Sequence, residues 1–426
     1  MRNMDTISLS NYRCFKDLKL SFKRKTNLLI GDNASGKTTL IRAISSVLNS
    51  FFIGFSDENT RFIGLSDDDF RIEVTETGLA IEDDIKVHFH FLGCASVLER
   101  HYKKGRTLQM PLKTIKDHGK DYYNRLFVDG KQEVALPLLA CFSTSDIHSK
   151  RKINPEPFKK YAHKPSFGYY ECLQGDGFFP YWTKRLLVLT EGRKGNIELS
   201  CVNQSVQLAL GPNGCNIISD MEVRHNQSKV YYHFIDGREV ESANLSDGYK
   251  RLANMVTDLA FRCALLNQGI FGEKACLNTE GTVLIDEIDL HLHPTLQSVV
   301  IKGLQNAFPK LQFIITTHAP MVMTSIPIGD ENKIIKLEFN PEKGYTAKEI
   351  ETYGLDASTL IQTVLGIIPR SKEVDDRLKT LFDLIDIDEY TNAAAKLNDM
   401  RNEFGDRLPE LAKAQAMLNF LSDEND

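Results

Sequence analysis

The segment GDNASGKTT, residues 31–39, has the residue types and spacing of a phosphate-binding loop. Gly31 and Gly36 allow a tight turn whose backbone N–H groups point at phosphate oxygens. Lys37 can then reach the β- and γ-phosphates of a nucleotide, and Thr38 can ligate Mg²⁺. The residues predicted to contact the nucleotide are Asp32, Asn33, Ala34, Ser35, Gly36, Lys37, Thr38 and Thr39. The alternative is a glycine-rich turn between a strand and a helix that binds nothing.

Two adjacent carboxylates follow the apolar run TVLI at 282–285. A buried strand would deliver Asp286 to the carboxyl edge of a sheet, where ligands of open α/β folds bind. Asp286 could hold Mg²⁺ there through water, and Glu287 could orient or deprotonate the water that attacks phosphorus. The alternative is an acidic helix cap after a core strand.

Two further segments gain meaning from their order along the chain. NLSDGYKRL, 244–252, opens a long predicted helix, so Ser246 and the Gly248 backbone lie at an N-terminus that attracts anions. FIITTHAP, 313–320, places His318 after a predicted strand, where its imidazole could contact a γ-phosphate and the attacking water. Taken alone, Ser246 would be a helix cap and His318 would be structural. Their positions on either side of the carboxylates favour functional roles for both.

The elements that must position these residues alternate along the chain. Apolar strands are predicted at 26–30, 136–142, 282–286 and 312–317, and helices at 37–48, 245–267 and 294–307. Apolar strands that alternate with helices indicate a parallel sheet covered on both faces. Short alternating strands are predicted at 4–10 and 15–22, and 71–76 and 84–92 are predicted to form a strand pair.

The chain is predicted to consist of four segments. Residues 1–142 are predicted to form the N-terminal half of the core, and 143–240 a mixed α/β insertion that serves as a lid or binds a partner. Residues 241–340 complete the core. Residues 341–426 are predicted to be helical and acidic, since 8 basic residues face 14 acidic ones from residue 370 onward.

The net charge of −5 conceals an uneven distribution. Residues 99–164 contain 15 Lys+Arg and 7 Asp+Glu, a net of +8, so the remainder carries −13. Basic runs at 101–106, 149–152 and 158–164 are interleaved with aromatic residues, which suits contact with a nucleic-acid backbone. The alternative is a solvated insertion that meets a partner subunit.

The composition is that of an ordinary globular protein, with 42% hydrophobic residues in 426, which excludes a disordered or collagen-like chain. No stretch approaches the ~20 apolar residues of a membrane-spanning helix. The N-terminus lacks the apolar core of a secretion signal, so we expect a cytoplasmic protein without a membrane partner. None of the eight cysteines forms a Cys-x-x-Cys pair, and we expect buried free thiols rather than disulfides or zinc ligands.

The four motifs in this order, with Leu245–Gly248 between the phosphate loop and the carboxylates, resemble the ABC-type ATPases of the RecF, SMC and OLD kind. The resemblance implies ATP and Mg²⁺ as cofactors, with Glu287 and His318 as catalytic residues. It also implies an α/β fold: an ABC-type P-loop ATPase head with an antiparallel β subdomain, a mixed α/β insertion and a C-terminal helical region. The opening SNYRCF, 10–15, is similar to the start of these proteins, where an arginine lies near adenine. Arg13 is therefore expected near the base, with a surface arginine as the alternative.

Four more segments are similar to the PtuA family, the ATPase subunits of Septu and some retron anti-phage systems: LPLLACFSTS, GYYECLQ, LSDGYKRLANMVTDLAFRCALLN and GIIPRSKEVDDRL. This resemblance implies a separate HNH nuclease, PtuB, that responds to the nucleotide state. Two departures stand out. Ala34 occupies a position where many relatives have glycine, which the loop is expected to tolerate. No glutamine clearly follows a strand as a Q-loop residue, and Gln109 and Gln132 are the candidates.

The resemblance also implies a homodimer. In ABC-type ATPases the phosphate loop of one subunit and the signature of another, which is Leu245–Gly248 in this chain, close on the same nucleotide. Ser246 and Gly248 would contact the partner's ATP in trans, giving two equivalent sites across a two-fold axis. Loss of the γ-phosphate would remove contacts from both sides, so the nucleotide acts as a switch. His291 and His293 are expected to contact the partner, and higher homo-oligomers could form from such dimers.

Three other functions compete with this interpretation. The alternative function is a RecF- or SMC-like DNA repair or recombination ATPase that acts directly on DNA. A transporter subunit is disfavoured by the insertion and the long tail. A TOPRIM nuclease within the chain is disfavoured because its candidate pieces, LLVLTEGR (186–193) and the Asp-Ile-Asp at 386–388, flank the signature and the carboxylates. Glu191 is expected to end a helix, and 386–388 to lie on an acidic helical face, so no nuclease activity is expected of this chain alone.

Overall fold

The computed structural model describes residues 2–75, 78–81, 84–102, 105–128, 130–143, 160–161, 163–174, 179–191, 196–327, 329–368 and 370–423. The basic run at 149–152 lies outside these ranges, as do parts of the basic runs at 101–106 and 158–164. The chain forms two compact units, Met1–Leu355 and Asp356–Asp426. All four predicted motifs belong to the first unit.

The first unit contains every strand among the described residues. The strands are β1 (Met4–Tyr12), β2 (Phe15–Ser21), β3 (Thr26–Ile30), β4 (Ile72–Thr75), β5 (Gly78–Ile81), β6 (Asp84–Phe91), β7 (Cys94–His101), β8 (Phe127–Val128), β9 (Lys131–Gln132), β10 (Leu138–Phe142), β11 (Ile218–Arg224), β12 (Lys229–Phe234), β13 (Glu239–Glu241), β14 (Gly281–Ile285), β15 (Leu311–Thr316), β16 (Asn332–Asn340) and β17 (Gly344–Ile350). Its α-helices are Lys37–Asn49, Lys113–Asn124, Phe179–Glu191, Ile197–Leu210, Asp247–Phe271, Ala275–Asn278, Pro294–Gln297, Val300–Ala307 and Pro320–Met323.

A six-stranded sheet in the order β10-β14-β15-β3-β16-β17 forms the centre of the first unit. Neighbouring strands are parallel except for β16 and β17. Every residue of β3, β10, β14 and β15 is buried, as their apolar sequences predict for a covered parallel sheet. Because parallel strands end at the same edge, the segments that follow β3, β14 and β15 meet there. Those segments are the phosphate loop, the carboxylates and the His318 segment.

An antiparallel sheet in the order β2-β1-β6-β7 forms the predicted β subdomain. Val87, Phe89 and Phe91 point into the core from one face of β6. The predicted pairing of 71–76 with 84–92 is wrong: β4 pairs with β5, whereas β6 lies between β1 and β7. The two sheets are joined by Gln312 in β15, whose amide nitrogen donates to the Met4 carbonyl at 2.8 Å.

The insertion combines helices with the antiparallel sheet β11-β12-β13, so it is mixed α/β as predicted. Its helix Phe179–Glu191 is anchored on the long helix Asp247–Phe271 by Trp182. The indole of Trp182 donates to Asp258 at 2.6 Å and stacks on Phe261 at 4.7 Å between ring centroids. Within the described ranges, no helix is long and apolar enough to cross a membrane.

The second unit is helical, with helices at Ala357–Thr363, Lys372–Asp386, Tyr390–Phe404 and Pro409–Asp423. The last three share a core of their own: Leu378, Leu381, Ile385, Ala393, Leu397, Met400, Leu411, Ala414 and Leu418. The boundary between the units lies after residue 355 rather than at 340, because β17 still belongs to the central sheet. The fold class predicted from the sequence is otherwise confirmed.

Candidate functional site

The phosphate loop connects β3 to the helix Lys37–Asn49, which we call the loop helix. Gly31 has φ +144°, and a Cβ there would lie 2.2 Å from the Leu337 carbonyl oxygen. Gly36 has φ +94°, and a Cβ there would lie 2.5 Å from the Phe15 ring. Both positions therefore require glycine. Ala34 also has a left-handed backbone, with φ +65°, which costs an alanine about 1–2 kcal/mol more than a glycine.

Lys37 is buried and bends back over the loop. Its ammonium donates to the carbonyls of Gly31 at 2.9 Å and Asp32 at 2.8 Å. Burial lowers the pKa of Lys37, and the Asp286 carboxylate acts in the opposite direction. A buried ammonium that is bonded mainly to carbonyl oxygens can exchange these bonds for stronger ones to phosphate.

The other loop residues divide into exposed and buried ones. Asp32, Asn33 and Ala34 are exposed, whereas Ser35 is buried and its N–H donates to the Asp32 carbonyl at 3.2 Å. Thr39 is half-buried. All eight cysteines are free, and seven of them are buried; Cys14 is half-buried.

Thr38 and Asp286 meet across the sheet edge. The Thr38 hydroxyl donates to Asp286 Oδ2 at 3.1 Å, and Asp286 is 1% exposed. Thr316, at the end of β15, donates to the other carboxylate oxygen of Asp286 at 2.6 Å. A hydroxyl and a buried carboxylate are the hard oxygen ligands that Mg²⁺ prefers. These residues fit the metal predicted from the sequence, and Thr316 is a contact that the sequence analysis missed.

Glu287 follows Asp286 with an unusual backbone. Its φ is +52°, a left-handed conformation for a non-glycine residue. The Glu287 N–H donates to Thr316 Oγ1 at 2.7 Å, and its carbonyl accepts from the Leu290 N–H at 3.1 Å. Glu287 is half-buried and directly follows Asp286 at the sheet edge. Such a position suits a base that acts on water next to a bound phosphate.

His318 is exposed and follows β15. The carboxylate of Asp289 accepts from the Thr317 hydroxyl at 2.5 Å and from the His318 N–H at 3.3 Å. Asp289 therefore links the segment after the carboxylates to the segment that carries the histidine. Asp289 lies three residues after Asp286 in the sequence, but no pattern indicated its partners.

The signature segment opens the helix Asp247–Phe271, which we call the signature helix. Ser246 is exposed and its side chain makes no capping hydrogen bond, so its hydroxyl is not used to hold the helix. Gly248 is buried, and a Cβ there would lie 2.3 Å from the His291 carbonyl oxygen. His291 and His293 are both exposed, and His293 caps the short helix that follows it.

Arg251, in the second turn of the signature helix, contacts the segment that follows β14, residues 286–291, which we call the carboxylate segment. Its guanidinium donates to the carbonyl of Glu287 at 2.5 Å and to that of Asp286 at 2.7 Å. Sequence reasoning missed this residue, since an arginine after a signature motif has no distinguishing pattern.

Arg13 lies on the turn between β1 and β2. It has φ +50°, and its guanidinium forms an ion pair with Asp69 at 2.9 Å. Asp69 also lines a cavity of about 490 Å³ beside the loop helix, together with Arg42 and Asn49. The predicted contact of Arg13 with adenine stays a prediction.

Neither Q-loop candidate lies after a strand at the sheet edge. Gln132 donates to the carbonyls of Val134 and Leu266, which is a structural role, and Gln109 is exposed before the helix Lys113–Asn124. Glu191 ends the helix Phe179–Glu191, as expected. The prediction of a helical face at 386–388 is wrong, because the helix Lys372–Asp386 ends at Asp386 and residues 387–388 form a turn.

Two family models match this chain. One, described as "AAA domain", matches residues 6–174. The other, described as "AAA domain, putative AbiEii toxin, Type IV TA system", matches residues 141–324. Together they span the phosphate loop, the signature, the carboxylates and His318.

Curated relatives extend over most of the chain. "Retron Vc95 probable ATPase" of Vibrio cholerae serotype O1 biovar El Tor is 26% identical over 418 residues, covering 86% of this chain and 80% of that protein. "Septu protein PtuA" of Bacillus thuringiensis is 23% identical over 388 residues, covering 84% and 86%. Among solved structures, an SMC head bound to the C-winged helix domain of ScpA is 16% identical, with a TM-score of 0.45 over 82% of this chain and 98% of that one.

Proposed function

We propose that this chain, which matches two AAA-domain models and is similar to PtuA, is an ABC-type ATPase that hydrolyses Mg-ATP between two subunits arranged head to tail. We further propose that its nucleotide state regulates a separate HNH nuclease of the PtuB kind in bacterial anti-phage defence. The observation that carries the proposal is the contact of Thr38 with Asp286 beside the buried Lys37.

Each residue of the site has a distinct task in this proposal. Lys37 and the loop N–H groups would hold the β- and γ-phosphates. Thr38 and Asp286 would hold Mg²⁺, which would supply positive charge to offset that of the phosphates. Glu287 takes a proton from the attacking water, and His318 contacts the γ-phosphate and that water. Asp289 and Thr316 keep these groups in place through the hydrogen bonds described above.

The exposed Ser246 supports the head-to-tail dimer. Its hydroxyl makes no cap, and the first turn of the signature helix offers N–H groups to an anion. A partner subunit's ATP, held by the partner's phosphate loop, would satisfy both. The γ-phosphate then links two subunits, and its loss on hydrolysis releases them.

Two variants test the nucleotide part. Lys37→Ala removes the buried ammonium and should abolish ATP binding measured by calorimetry, whereas unchanged affinity would remove the phosphate-loop assignment. Glu287→Gln keeps the shape of the site but removes the base, so it should accumulate an ATP-bound dimer in gel filtration. A Glu287→Gln variant whose elution is the same with and without ATP would contradict the dimer model.

The regulatory part is tested with the partner present. A PtuB-like nuclease gene beside this one and co-purification of the two proteins are expected. Nuclease activity of the complex should differ between ATP and ADP. The half-buried or buried free thiols support a reducing compartment, and we place this activity in the cytoplasm.

Two groups of lysines favour the second function, direct action on nucleic acid. On the helix Lys113–Asn124, Lys113, Lys116 and Lys120 lie three and four residues apart and so share a face, and Lys113 and Lys120 are exposed. The ammonium groups of Lys160 and Lys164 lie within 6 Å of the Tyr161 ring, at 5.3 and 5.6 Å from its centroid. Lysines beside an aromatic ring suit phosphates and bases.

This second function has its own test. A triple variant with Lys113→Ala, Lys116→Ala and Lys120→Ala should weaken binding to DNA or RNA. On duplex DNA, the slope of log K against log salt concentration should become shallower by about 0.9 for each lost phosphate contact. A control triple variant replaces the exposed Lys274, Lys310 and Lys343. Equal binding by both variants would show that this face does not contact nucleic acid.

A further inference from the structure

Arg251 connects the signature helix to the carboxylate segment of the same subunit. Its guanidinium donates two hydrogen bonds, to the main-chain carbonyls of Asp286 at 2.7 Å and Glu287 at 2.5 Å. Both acceptors belong to residues that the proposed function places at the metal and at the attacking water. A planar guanidinium with several donors can bind two neighbouring carbonyls at once, which an ammonium does less well.

The Glu287 backbone needs such support. Its φ of +52° is a left-handed conformation that is unfavourable for a non-glycine residue. Strained backbone persists where the surroundings over-determine it. Here the Thr316 hydroxyl holds the Glu287 N–H, while Arg251 and the Leu290 N–H hold its carbonyl.

A second contact connects the signature helix to the C-terminal end of the carboxylate segment. Gly248 packs so closely on the carbonyl of His291 that a Cβ would lie 2.3 Å from the oxygen. The first two turns of the signature helix therefore hold residues 286–287 through Arg251 and residue 291 through Gly248. A shift of the helix must move this segment with it.

We propose that Arg251 is a positioning residue that sets the orientation of Glu287 according to the position of the signature helix. The inference rests on the proposed function, in which Ser246 contacts the partner's ATP. When the signature of one subunit closes on the partner's ATP, its helix would move. Arg251 would then change the orientation of Glu287 in the same subunit. Hydrolysis at one site would thereby depend on occupancy of the other.

The first test compares three variants in steady-state ATP hydrolysis. Arg251→Ala should lower kcat by about 100-fold, the loss expected for a misplacement of about 1 Å, and leave the Kd for ATP within about twofold. Arg251→Lys should fall between Arg251→Ala and the wild type, because an ammonium can hold one of the two carbonyls. The control Arg238→Ala removes an exposed arginine paired with Asp236 in the turn between β12 and β13 and should leave kcat unchanged.

The second test asks whether Arg251 acts through Glu287. In the Glu287→Gln background, Arg251→Ala should cause no further loss in single-turnover rate, and the ATP-dependent dimer should persist in gel filtration. Losses that multiply, or loss of the dimer, would overturn the proposal. If Arg251→Ala does not fold, Arg251→Lys carries both measurements.

The outcomes separate this inference from the function on which it rests. A wild-type protein that hydrolyses no ATP, or a Lys37→Ala variant that still binds it, contradicts the proposed function. If both of those controls behave as expected and Arg251→Ala keeps the wild-type kcat, only the role of Arg251 is wrong.

Discussion

At the scale of single residues, Thr316 contacts both acidic residues of the candidate site. One hydroxyl donates to the Asp286 carboxylate at 2.6 Å and accepts from the Glu287 N–H at 2.7 Å. It is fully buried. The orientations of both acidic residues therefore depend on the same oxygen atom.

We predict that Thr316→Val lowers kcat by about 10- to 100-fold. Valine has nearly the same shape but no hydroxyl, and a hydrogen bond to a charged group is worth about 1.5–3 kcal/mol. The measurement is steady-state ATP hydrolysis, with Thr316→Ser as the control because it keeps the oxygen. Equal rates for the valine and serine variants would show that the hydroxyl is dispensable.

Asp289 supports the second prediction at this scale. Asp289→Ala removes the acceptor for Thr317 and for the His318 N–H, so we expect it to lower kcat by about as much as His318→Ala. Asp289→Asn keeps an acceptor oxygen and should retain most of the activity. The two alanine substitutions together should cost no more than either alone, and fully multiplicative losses would refute a shared role.

The sequence predicted the residue types of this site but not their hydrogen bonds. Gly31, Lys37 and Asp286 belong to motifs whose spacing follows from the chemistry of phosphate and Mg²⁺. Thr316 and Arg251 act through contacts between segments far apart in sequence, which single-chain patterns do not encode. Ala34 shows the same limit, because its left-handed backbone becomes visible only in the folded loop.

At the scale of elements, the signature helix is held against the carboxylate segment by a glycine contact. Gly248→Ala would place a methyl group 2.3 Å from the His291 carbonyl and must push the helix away. We predict that this variant loses the ATP-dependent dimer in the Glu287→Gln background, in gel filtration, while each subunit still binds ATP. The control is Gly329→Ala, where a Cβ would meet no atom within 4 Å. If the dimer still forms with Gly248→Ala, the close contact of Gly248 with His291 is not needed for assembly.

The elements themselves were predicted unequally well. The buried strands β3, β14 and β15 were found within about one residue of their bounds because they are apolar throughout and flanked by motifs. The pairing of β6 was not, because periodicity identifies a strand's buried face but not its neighbour. β17 was assigned to the helical tail, since its sequence GYTAKEI is largely polar and lies at the sheet edge.

At the scale of the whole molecule, the second unit has a hydrophobic core of its own. We predict that residues 356–426 fold alone into a helical protein with a cooperative thermal transition in far-UV circular dichroism. Leu381 is fully buried, so Leu381→Ala should cost about 2–5 kcal/mol and abolish the transition. Phe420 is 65% exposed, and Phe420→Ala should leave the transition in place. A non-cooperative isolated fragment would show that this unit needs the rest of the chain.

The order of strands in the central sheet has a consequence for synthesis on the ribosome. β3, which leads into the phosphate loop, lies between β15 and β16, so both of its neighbours are translated nearly 300 residues after it. At about 5–20 residues per second, roughly 15 to 60 seconds separate the loop from the strands that hold it. Until β15 and β16 have been translated, β3 lacks both of its neighbours in the sheet, so we expect the phosphate loop to reach its final geometry only after most of the first unit has been synthesised.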